Sequence, residues 1–249
     1  MERGTDMAVF EKLSSPSLKD MFVDKIAEMI LSGTLAVGEK FPPERALAEQ
    51  MGVGKTVVHS GFQELQRMGF VTVRPQSGVY VADYMSDGNL DTFNALFRYN
   101  GDRMSLELIR AVFDFRLAVE GFGLRRLAER HTAADIVLLR RGIDSICEYV
   151  SADGMSYGVL RKMFYDFHVK LLRMSGCFMT TLCFNAVEES VIEIEERYIR
   201  SVGIGSAIDR LTAFVDALER GDGDAAEALL KTGMDEQYAR YEWARDNIR

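Results

Sequence analysis

The segment Gly52-Val-Gly-Lys-Thr56 has the residue types of a phosphate-binding loop, in which backbone amides, a lysine and a threonine hold a nucleotide. That motif requires a first glycine five residues before its Gly-Lys pair, and Glu49 stands there instead. It also requires a preceding buried strand, whereas apolar residues at helical spacing precede this segment. We therefore keep nucleotide binding as the weaker alternative. Lys55 and Thr56 are interpreted as the start of a helix whose amides and lysine hold a DNA phosphate.

Other polar residues in the segments around Lys55 and Thr56 are also suited to binding DNA. Lysine and arginine side chains neutralise phosphates, and a histidine can donate one hydrogen bond to a base or a phosphate. Short polar residues at the tip of a hairpin allow the backbone to approach the DNA. The candidate DNA-binding residues are Lys40, Arg45, Lys55, Thr56, His59, Arg74, Gln76, Ser77 and Gly78.

The elements that must position these residues form a winged helix-turn-helix, for which we take the range 10–83. Ser17 opens an amphipathic helix, Pro43 stands at the first position of a second helix, and Gly52 and Gly69 follow helix ends. Strand-forming residues then alternate on either side of a turn. The predicted elements are helices at 18–31, 44–51 and 55–67, strands at 70–74 and 79–82, and a turn at 75–78.

Composition limits the number of domains and the class of protein to which this chain can belong. The chain has 249 residues, 47% of them hydrophobic, which is enough for two domains with separate cores. Its net charge of −8 is unusual for a DNA-binding protein, so the placement of the basic residues matters more than their number. The sequence has no membrane-length apolar run and no secretion signal. Together with three isolated cysteines (Cys147, Cys177 and Cys183), this predicts a cytoplasmic protein with reduced thiols.

Residues 17–83 resemble the DNA-binding domain of the GntR family of bacterial transcription regulators. The matching residues are Gly38, Pro42, Glu44, Arg45, Leu47, Ala48, Gly52, Val53, Val58, Gly69, Gly78, Tyr80 and Val81. The resemblance implies that positions 45, 55 and 59 make most of the DNA contacts. Lys55 and His59 replace the usual arginines, and Ser60-Gly61-Phe62 replaces a common Glu-Ala-Leu. Because lysine lacks the two-pronged contact of arginine with guanine, we expect an operator unlike the usual one of the family.

The rest of the chain is predicted to be helical, giving a mainly α protein. We expect a linker with a short helix at 84–104 and an all-α bundle at 105–249, which serves effector binding and dimerisation. Thr132 and Asp224 are the predicted N-caps. The helical segments predicted within the bundle are 105–130, 132–150, 155–174, 177–200, 207–220 and 224–246.

This region resembles the FCD-type ligand-binding domain of the FadR subfamily, on three short motifs: Phe115–Glu120, Asp166–Gly176 and Ala217–Ala226. Many members of that subfamily hold a divalent metal through one aspartate and three histidines. The corresponding positions in this chain are Phe164, His168, Leu211 and Gly233. Since only His168 is a ligand type, we predict neither a metal nor another cofactor.

Arg116 lies among apolar neighbours on a helix face that should be buried, so its guanidinium needs a partner. One interpretation is an effector carboxylate, with His168 and Tyr165 on the opposite wall of the pocket. The other is a local pair with Glu120 or Asp114, or a side chain that reaches solvent. The apolar or small residues at three metal positions suggest an effector that is larger or more apolar than a small hydroxy acid.

The predicted function is that of a transcription regulator. A homodimer would bind a palindromic DNA operator, and a small organic acid or acyl effector would control that binding. Whether the result is repression or activation is left open. The main alternative is a DNA-binding dimer without an effector. An enzyme is excluded by the lack of a nucleophile-base pair, a complete metal set or a complete phosphate loop.

Overall fold

The computed structural model describes residues 17–100 and 105–247, and the chain divides into two compact units between Tyr99 and Asn100. Within the predicted domain ranges, residues 10–16, 101–104, 248 and 249 lie outside the described part. The mainly α class is confirmed. No described helix is both long and apolar enough to cross a membrane.

The first three helices of the chain begin and end where the sequence predicts. They are α1 (Leu18–Leu31), α2 (Glu44–Met51) and α3 (Lys55–Arg67). Ser17 and Asp20 form a capping box at the start of α1, each side chain accepting a hydrogen bond from the other's backbone amide. Gly52 ends α2 with a φ of 65°, which glycine adopts without strain. Pro43 is the N-cap of α2 rather than its first helical residue.

A two-stranded antiparallel sheet follows α3. Its strands are β1 (Val71–Arg74), which starts one residue later than predicted, and β2 (Gly78–Val81), which is shifted by one residue towards the turn. Val71 lies opposite Val81 and Arg74 lies opposite Gly78. The connecting turn is closed by a hydrogen bond from the Ser77 amide to the Arg74 carbonyl. This hairpin is the wing predicted from the sequence.

An aromatic cluster joins α1 to α3. The ring of Phe62 lies with its centroid 5.6 Å from Phe22 and 5.0 Å from Phe41, both in edge-to-face geometry. Gly61 makes this arrangement possible, because a Cβ atom there would overlap the ring of Phe22. Gly61 therefore leaves the space on α3 in which the ring of Phe22 can pack against the neighbouring Phe62 in the aromatic cluster.

Replacing Gly61 with alanine is expected to destabilise the first unit by about 1–2 kcal/mol. Overpacking a core costs about 1–3 kcal/mol, and the gain in helix propensity offsets at most about 1 kcal/mol. Hydrogen exchange of the α1 and α3 amides in the full chain measures the change. In a Phe22→Leu background the same substitution should cost much less, and an equal cost in both backgrounds would show that the overlap with Phe22 is not the cause.

Two further helices pack on the first unit, namely α4 (Tyr84–Asp87) and α5 (Leu90–Asn100). The Thr92 hydroxyl donates a hydrogen bond to the Met68 carbonyl, and Ala95 lies in the hydrophobic core. The Tyr99 hydroxyl donates to the Asp24 carboxylate over 2.6 Å. Residues 84–99 of the predicted linker are thus part of the first unit, because their apolar face has a core to pack against.

The second unit is an all-α bundle. Its long helices α6 (Leu106–Arg130), α7 (Ala133–Ser151) and α8 (Tyr157–Met174) are followed by α9 (Phe178–Asn185) and α10 (Glu188–Val202). The last two helices are α11 (Ile204–Glu219) and α12 (Gly223–Asn247). The most extensive packing pairs α6 with α12, α8 with α10, and α7 with α11. Thr132 caps α7 in a capping box with Asp135, as predicted.

Two predictions for the bundle are wrong. The segment 177–200 forms two helices, because the backbone leaves helical geometry at Val187, where φ is −114° and ψ is 22°. Asp222 caps α12 in place of Asp224, its carboxylate accepting a 2.9 Å hydrogen bond from the Ala225 amide. The helix starts slightly earlier than expected at Gly223, which lies close against the backbone of α6.

Candidate nucleic-acid interface and ligand cavity

The N-terminal end of α3 is open to solvent. Val58, Phe62 and Leu65 are buried, whereas Lys55 and Thr56 are exposed. The N-cap is a glycine without a side chain to accept from the first amides. Unpaired amides at a helix start and an adjacent lysine together form a site for a phosphate. The segment follows helix α2 rather than a strand, so the nucleotide-binding alternative lacks its structural context.

His59 is connected to the helix before it. Its Nδ1 atom lies 2.9 Å from Glu44 Oε1, and Nε2 is the ring atom left to face DNA. Arg45 makes a 3.3 Å contact with Glu49 on the same helix and is otherwise exposed. Sequence reasoning missed the role of Glu44, which ties α2 to α3 at the predicted DNA-binding surface.

The wing carries a cluster of cations around one aromatic ring. The Arg74 guanidinium lies 4.5 Å and the Lys40 ammonium 5.7 Å from the centroid of the Tyr80 ring. The hydroxyls of Ser77 and Tyr80 are 2.7 Å apart. This hydrogen bond, with the two cations, lowers the pKa of the Tyr80 hydroxyl. Tyr80 was matched to the family pattern but not chosen as a site residue, although its cross-strand position beside the turn was the available signal.

The nine predicted DNA-binding residues are all exposed on the first unit. Gln76 stands at the tip of the wing with a φ of 60°, a left-handed conformation that is uncommon for residues other than glycine. Their role in binding DNA stays a prediction.

The second unit contains a cavity at the position of the family's metal site. Phe164, His168, Leu211 and Gly233 all line it, so the four positions implied by the resemblance converge in space. Its volume is about 30 Å³, which is room for about two water molecules. The guanidinium of Arg210 lies over Gly233, where a side chain would otherwise stand, and fills part of this space. The size of the effector stays a prediction.

These residues do not fit a divalent metal. Phe164 and Leu211 offer no donor atom, and the position of the third histidine is covered by a cation. Within residues 17–100 and 105–247, no three His, Cys, Asp or Glu side chains are grouped so as to hold a metal ion. Metal chemistry therefore has no set of ligands in the described part of this chain.

Protein purified without added metal is expected to contain less than about 0.1 equivalent of zinc or nickel, since a single imidazole whose neighbouring carboxylates are paired with Arg116 binds such ions weakly. Elemental analysis of the purified chain, with His168→Ala alongside, tests this expectation. Stoichiometric metal that disappears in the variant would contradict it.

Arg116 is paired inside the protein. Its Nε atom lies 2.5 Å from Glu120 Oε1 and its Nη1 atom lies 3.3 Å from Glu195 Oε2. The second oxygen of Glu120 lies 2.6 Å from His168 Nδ1. All four side chains are buried, so the structure shows the local Glu120 pair that sequence analysis weighed against an effector contact, extended by Glu195.

The electrostatics of this network hold Glu120 and Arg116 in their ionised forms. Burial alone raises the pKa of the Glu120 carboxyl, but Arg116 and His168 outweigh burial and bring it to about 2. Burial also opposes the charge on Arg116, yet the two carboxylates raise its pKa above the ordinary value for arginine. The guanidinium therefore balances two buried anions.

The three predicted effector residues do not all line this cavity. Arg116 and His168 line the cavity, whereas Tyr165 is not among its lining residues. The Tyr165 ring stacks on Phe184, and its hydroxyl donates a 3.1 Å hydrogen bond to Asn185. Sequence reasoning missed four polar lining residues, since none has a local pattern: Glu195, Tyr198, Arg210 and Gln237.

Comparison with known proteins assigns both units. Residues 18–81 match the model of the bacterial regulatory proteins of the gntR family, and residues 111–236, half of the chain, match the FCD domain. The Lar protein of Listeria monocytogenes, described as controlling the agr system and mediating virulence, has the same fold. That structure covers 92% of this chain and 98% of its own at 15% identity, with a TM-score of 0.58.

Curated relatives agree with this assignment. An uncharacterized HTH-type transcriptional regulator of Mycobacterium tuberculosis is 31% identical over 56% of this chain and 56% of its own. The Uxu operon transcriptional regulator of Escherichia coli is 32% identical over 47% of this chain and 44% of its own. LutR of Bacillus subtilis is 25% identical over 81% of this chain and 91% of its own. The chain spans about half the length of the first of these relatives.

The family models cover both the helix-turn-helix with its wing and most of the helical bundle. The chain therefore belongs to the GntR family of bacterial regulatory proteins, which are DNA-binding transcription regulators and not enzymes, and its second unit is an FCD domain.

Proposed function

We propose that this chain binds a palindromic operator as a homodimer and that a small organic acid in the FCD cavity controls the binding. The observation that carries the DNA-binding part is the exposed start of α3, where Lys55 and free helix amides lie on a surface that also presents His59. A regulator of this kind works beside the chromosome, so we propose a cytoplasmic location.

The cavity favours an effector-controlled regulator over a dimer without an effector. It is enclosed partly by charged side chains, namely Arg116, Glu195 and Arg210, at the place where related proteins carry a metal site. A core with only a structural role has little reason to keep polar groups around an empty space. The small volume favours a short organic acid over a long acyl chain.

Control requires that the effector bind one arrangement of the dimer better than the other. A ligand with equal affinity for the DNA-bound and free forms would change nothing, however tightly it bound. We propose that the segment 84–104 transmits the conformational change that the effector favours from the FCD domain to the DNA-binding unit.

Selection of genomic fragments with the purified full-length chain tests the DNA-binding part. We expect recovery of a short inverted repeat with half-sites about one helical turn apart. Release of that fragment is then measured against a panel of carboxylates and acyl thioesters. Failure to enrich any sequence at low ionic strength would overturn the regulator proposal, and release by no compound would favour the dimer without an effector.

A further inference from the structure

We infer that Arg210 and Tyr198, and not Arg116 or a metal ion, hold the carboxylate of the effector, and that the effector is a short monocarboxylate. This inference rests on the proposed function, because it names the class of the ligand at the same cavity. Arg116 is already paired with two carboxylates, Arg210 is held only loosely, and the Tyr198 hydroxyl is a donor without an acceptor.

Arg116 has little capacity left for a ligand. The residue is only 3% exposed, and its guanidinium contacts both Glu120 and Glu195. Drawing it towards a ligand anion would leave these buried carboxylates without their counter-charge, which is costly in a region of low dielectric constant. Arg116 is therefore better suited to holding the cavity wall together.

Arg210 is the other arginine that lines the cavity, and its partner is easily displaced. Its Nη2 atom lies 2.7 Å from Glu236, a side chain that is about half exposed, and its Nη1 atom donates weakly to the Leu229 carbonyl over 3.4 Å. Glu236 can turn into water at little cost, since exposed ion pairs contribute at most about 1 kcal/mol. Gly233 gives the guanidinium its place above the cavity.

Tyr198 supplies a hydrogen-bond donor next to this cation. The residue is only 6% exposed and lines the cavity, and the proton of its hydroxyl has no acceptor among the described residues. The Arg210 guanidinium lies 5.5 Å from the centre of its ring. Burial raises the pKa of the hydroxyl against the opposing charge of Arg210, so the group stays protonated at neutral pH. A buried donor without a partner is a cost that an acceptor from a ligand would remove.

The remaining lining restricts the ligand. A carboxylate accepts well from one guanidinium and one hydroxyl, and such charge-assisted bonds are the stronger kind. The small volume, lined also by apolar Phe164, Leu211 and Phe214, favours a carboxylate with few further atoms over a larger ligand. Because the buried Glu195 carboxylate also lines the cavity, a second negative charge on the ligand would be repelled. Monocarboxylates should thus bind better than dicarboxylates.

Calorimetric titration of the full-length chain tests the inference with acetate, propionate and lactate as probes, against succinate and the neutral propionamide. At least one monocarboxylate is expected to bind the wild type with a Kd of about 1 mM or lower, within reach of a ligand of about four to six heavy atoms. Propionamide and succinate should bind at least about tenfold more weakly than the best monocarboxylate, because each loses charge complementarity.

Four variants separate the roles of the residues. Arg210→Gln and Tyr198→Phe should each weaken binding about tenfold, the value expected for a lost charge-assisted hydrogen bond. Glu236→Gln should tighten binding a few-fold, because it removes the internal competitor for Arg210. Arg140→Gln is the matched control, since Arg140 pairs with Asp216 and Glu219 on the outside of the bundle and should leave binding unchanged.

The outcomes distinguish this inference from the proposed function. Binding that is unchanged in both Arg210→Gln and Tyr198→Phe, or no monocarboxylate bound by the wild type up to about 10 mM, overturns the inference. Tyr198→Phe removes a single unpartnered hydroxyl and keeps the ring, so it remains informative if Arg210→Gln misfolds. An effector of another class that releases the operator equally from all variants also overturns the inference but preserves the proposed function. Arg210-dependent binding that leaves operator affinity unchanged supports the site and contradicts the proposed control.

Discussion

Replacing Arg116 with methionine is expected to lower the free energy of unfolding of the FCD domain by about 3–5 kcal/mol, the usual cost of removing one member of a buried ion pair. The substitution removes the guanidinium from both buried carboxylates, which leaves Glu120 with only its His168 contact. Urea unfolding followed by circular dichroism and by the fluorescence of Trp243, the single tryptophan, measures the loss. Trp243 lies on α12 of the second unit and so reports on this unit alone.

The matched control keeps Arg116→Met and neutralises the two carboxylates that have lost the guanidinium. Arg116→Met combined with Glu120→Gln and Glu195→Gln should recover most of the lost stability, because neutral amides are far less costly to bury than carboxylates. The amide oxygen that Glu120→Gln introduces can still accept from His168. If the single variant loses less than about 1 kcal/mol, the network behaves as a surface pair would and the assignment of Arg116 to the cavity wall is wrong.

Acid titration gives an independent readout of the same network. The pKa of Glu120 is lowered in the folded chain from an ordinary value of 4.5 to about 2. The stabilising effect of its ionised form is therefore complete above about pH 4.5 and is lost as the pH falls towards 2. In Arg116→Met this pH dependence should weaken or reverse, because the unpaired carboxylates then favour protonation. Unfolding curves at several pH values between about 2 and 6 compare the two chains.

The elements of both units could be predicted because their signals are local. The capping box of Ser17 and Asp20 and the left-handed Gly52 act within one helical turn, so short sequence windows contain the whole cause. The break between α9 and α10 escaped prediction because Ala186 and Val187, where it falls, are neither glycine nor proline and carry no local turn signal.

In the candidate site, too, local contacts could be predicted from the sequence and contacts between distant segments could not. The pair of Arg116 with Glu120 spans one helical turn and was among the alternatives, whereas Glu195 lies 79 residues away and has no local signal. The placement of Arg210 over Gly233 depends on the packing of α11 against α12. Family resemblance located the cavity through its four metal positions, but only the structure shows which charges replaced the metal.

Replacing both Lys55 and Arg74 with alanine is expected to weaken binding of the selected operator about a hundredfold or more. Lys55 begins α3 beside the open helix amides, and Arg74 stands next to the turn of the wing, against Tyr80. Each contributes one charge-assisted contact of about 1.5–3 kcal/mol if it binds a phosphate. Both are exposed and neither anchors the core, so the variant should fold like the wild type.

Salt dependence distinguishes phosphate contacts from base reading. The slope of log affinity against log salt should fall by about 2, since about 0.9 counter-ion is released for each phosphate neutralised. Fluorescence anisotropy at several salt concentrations measures this slope, and Lys25→Ala is the matched control. Lys25 is an exposed cation on α1 that pairs with Glu28, on a helix outside the predicted DNA surface. If the double variant keeps the slope of the wild type, DNA binds elsewhere on the unit. Removing two cations from the true interface must lower the number of counter-ions that are released on binding.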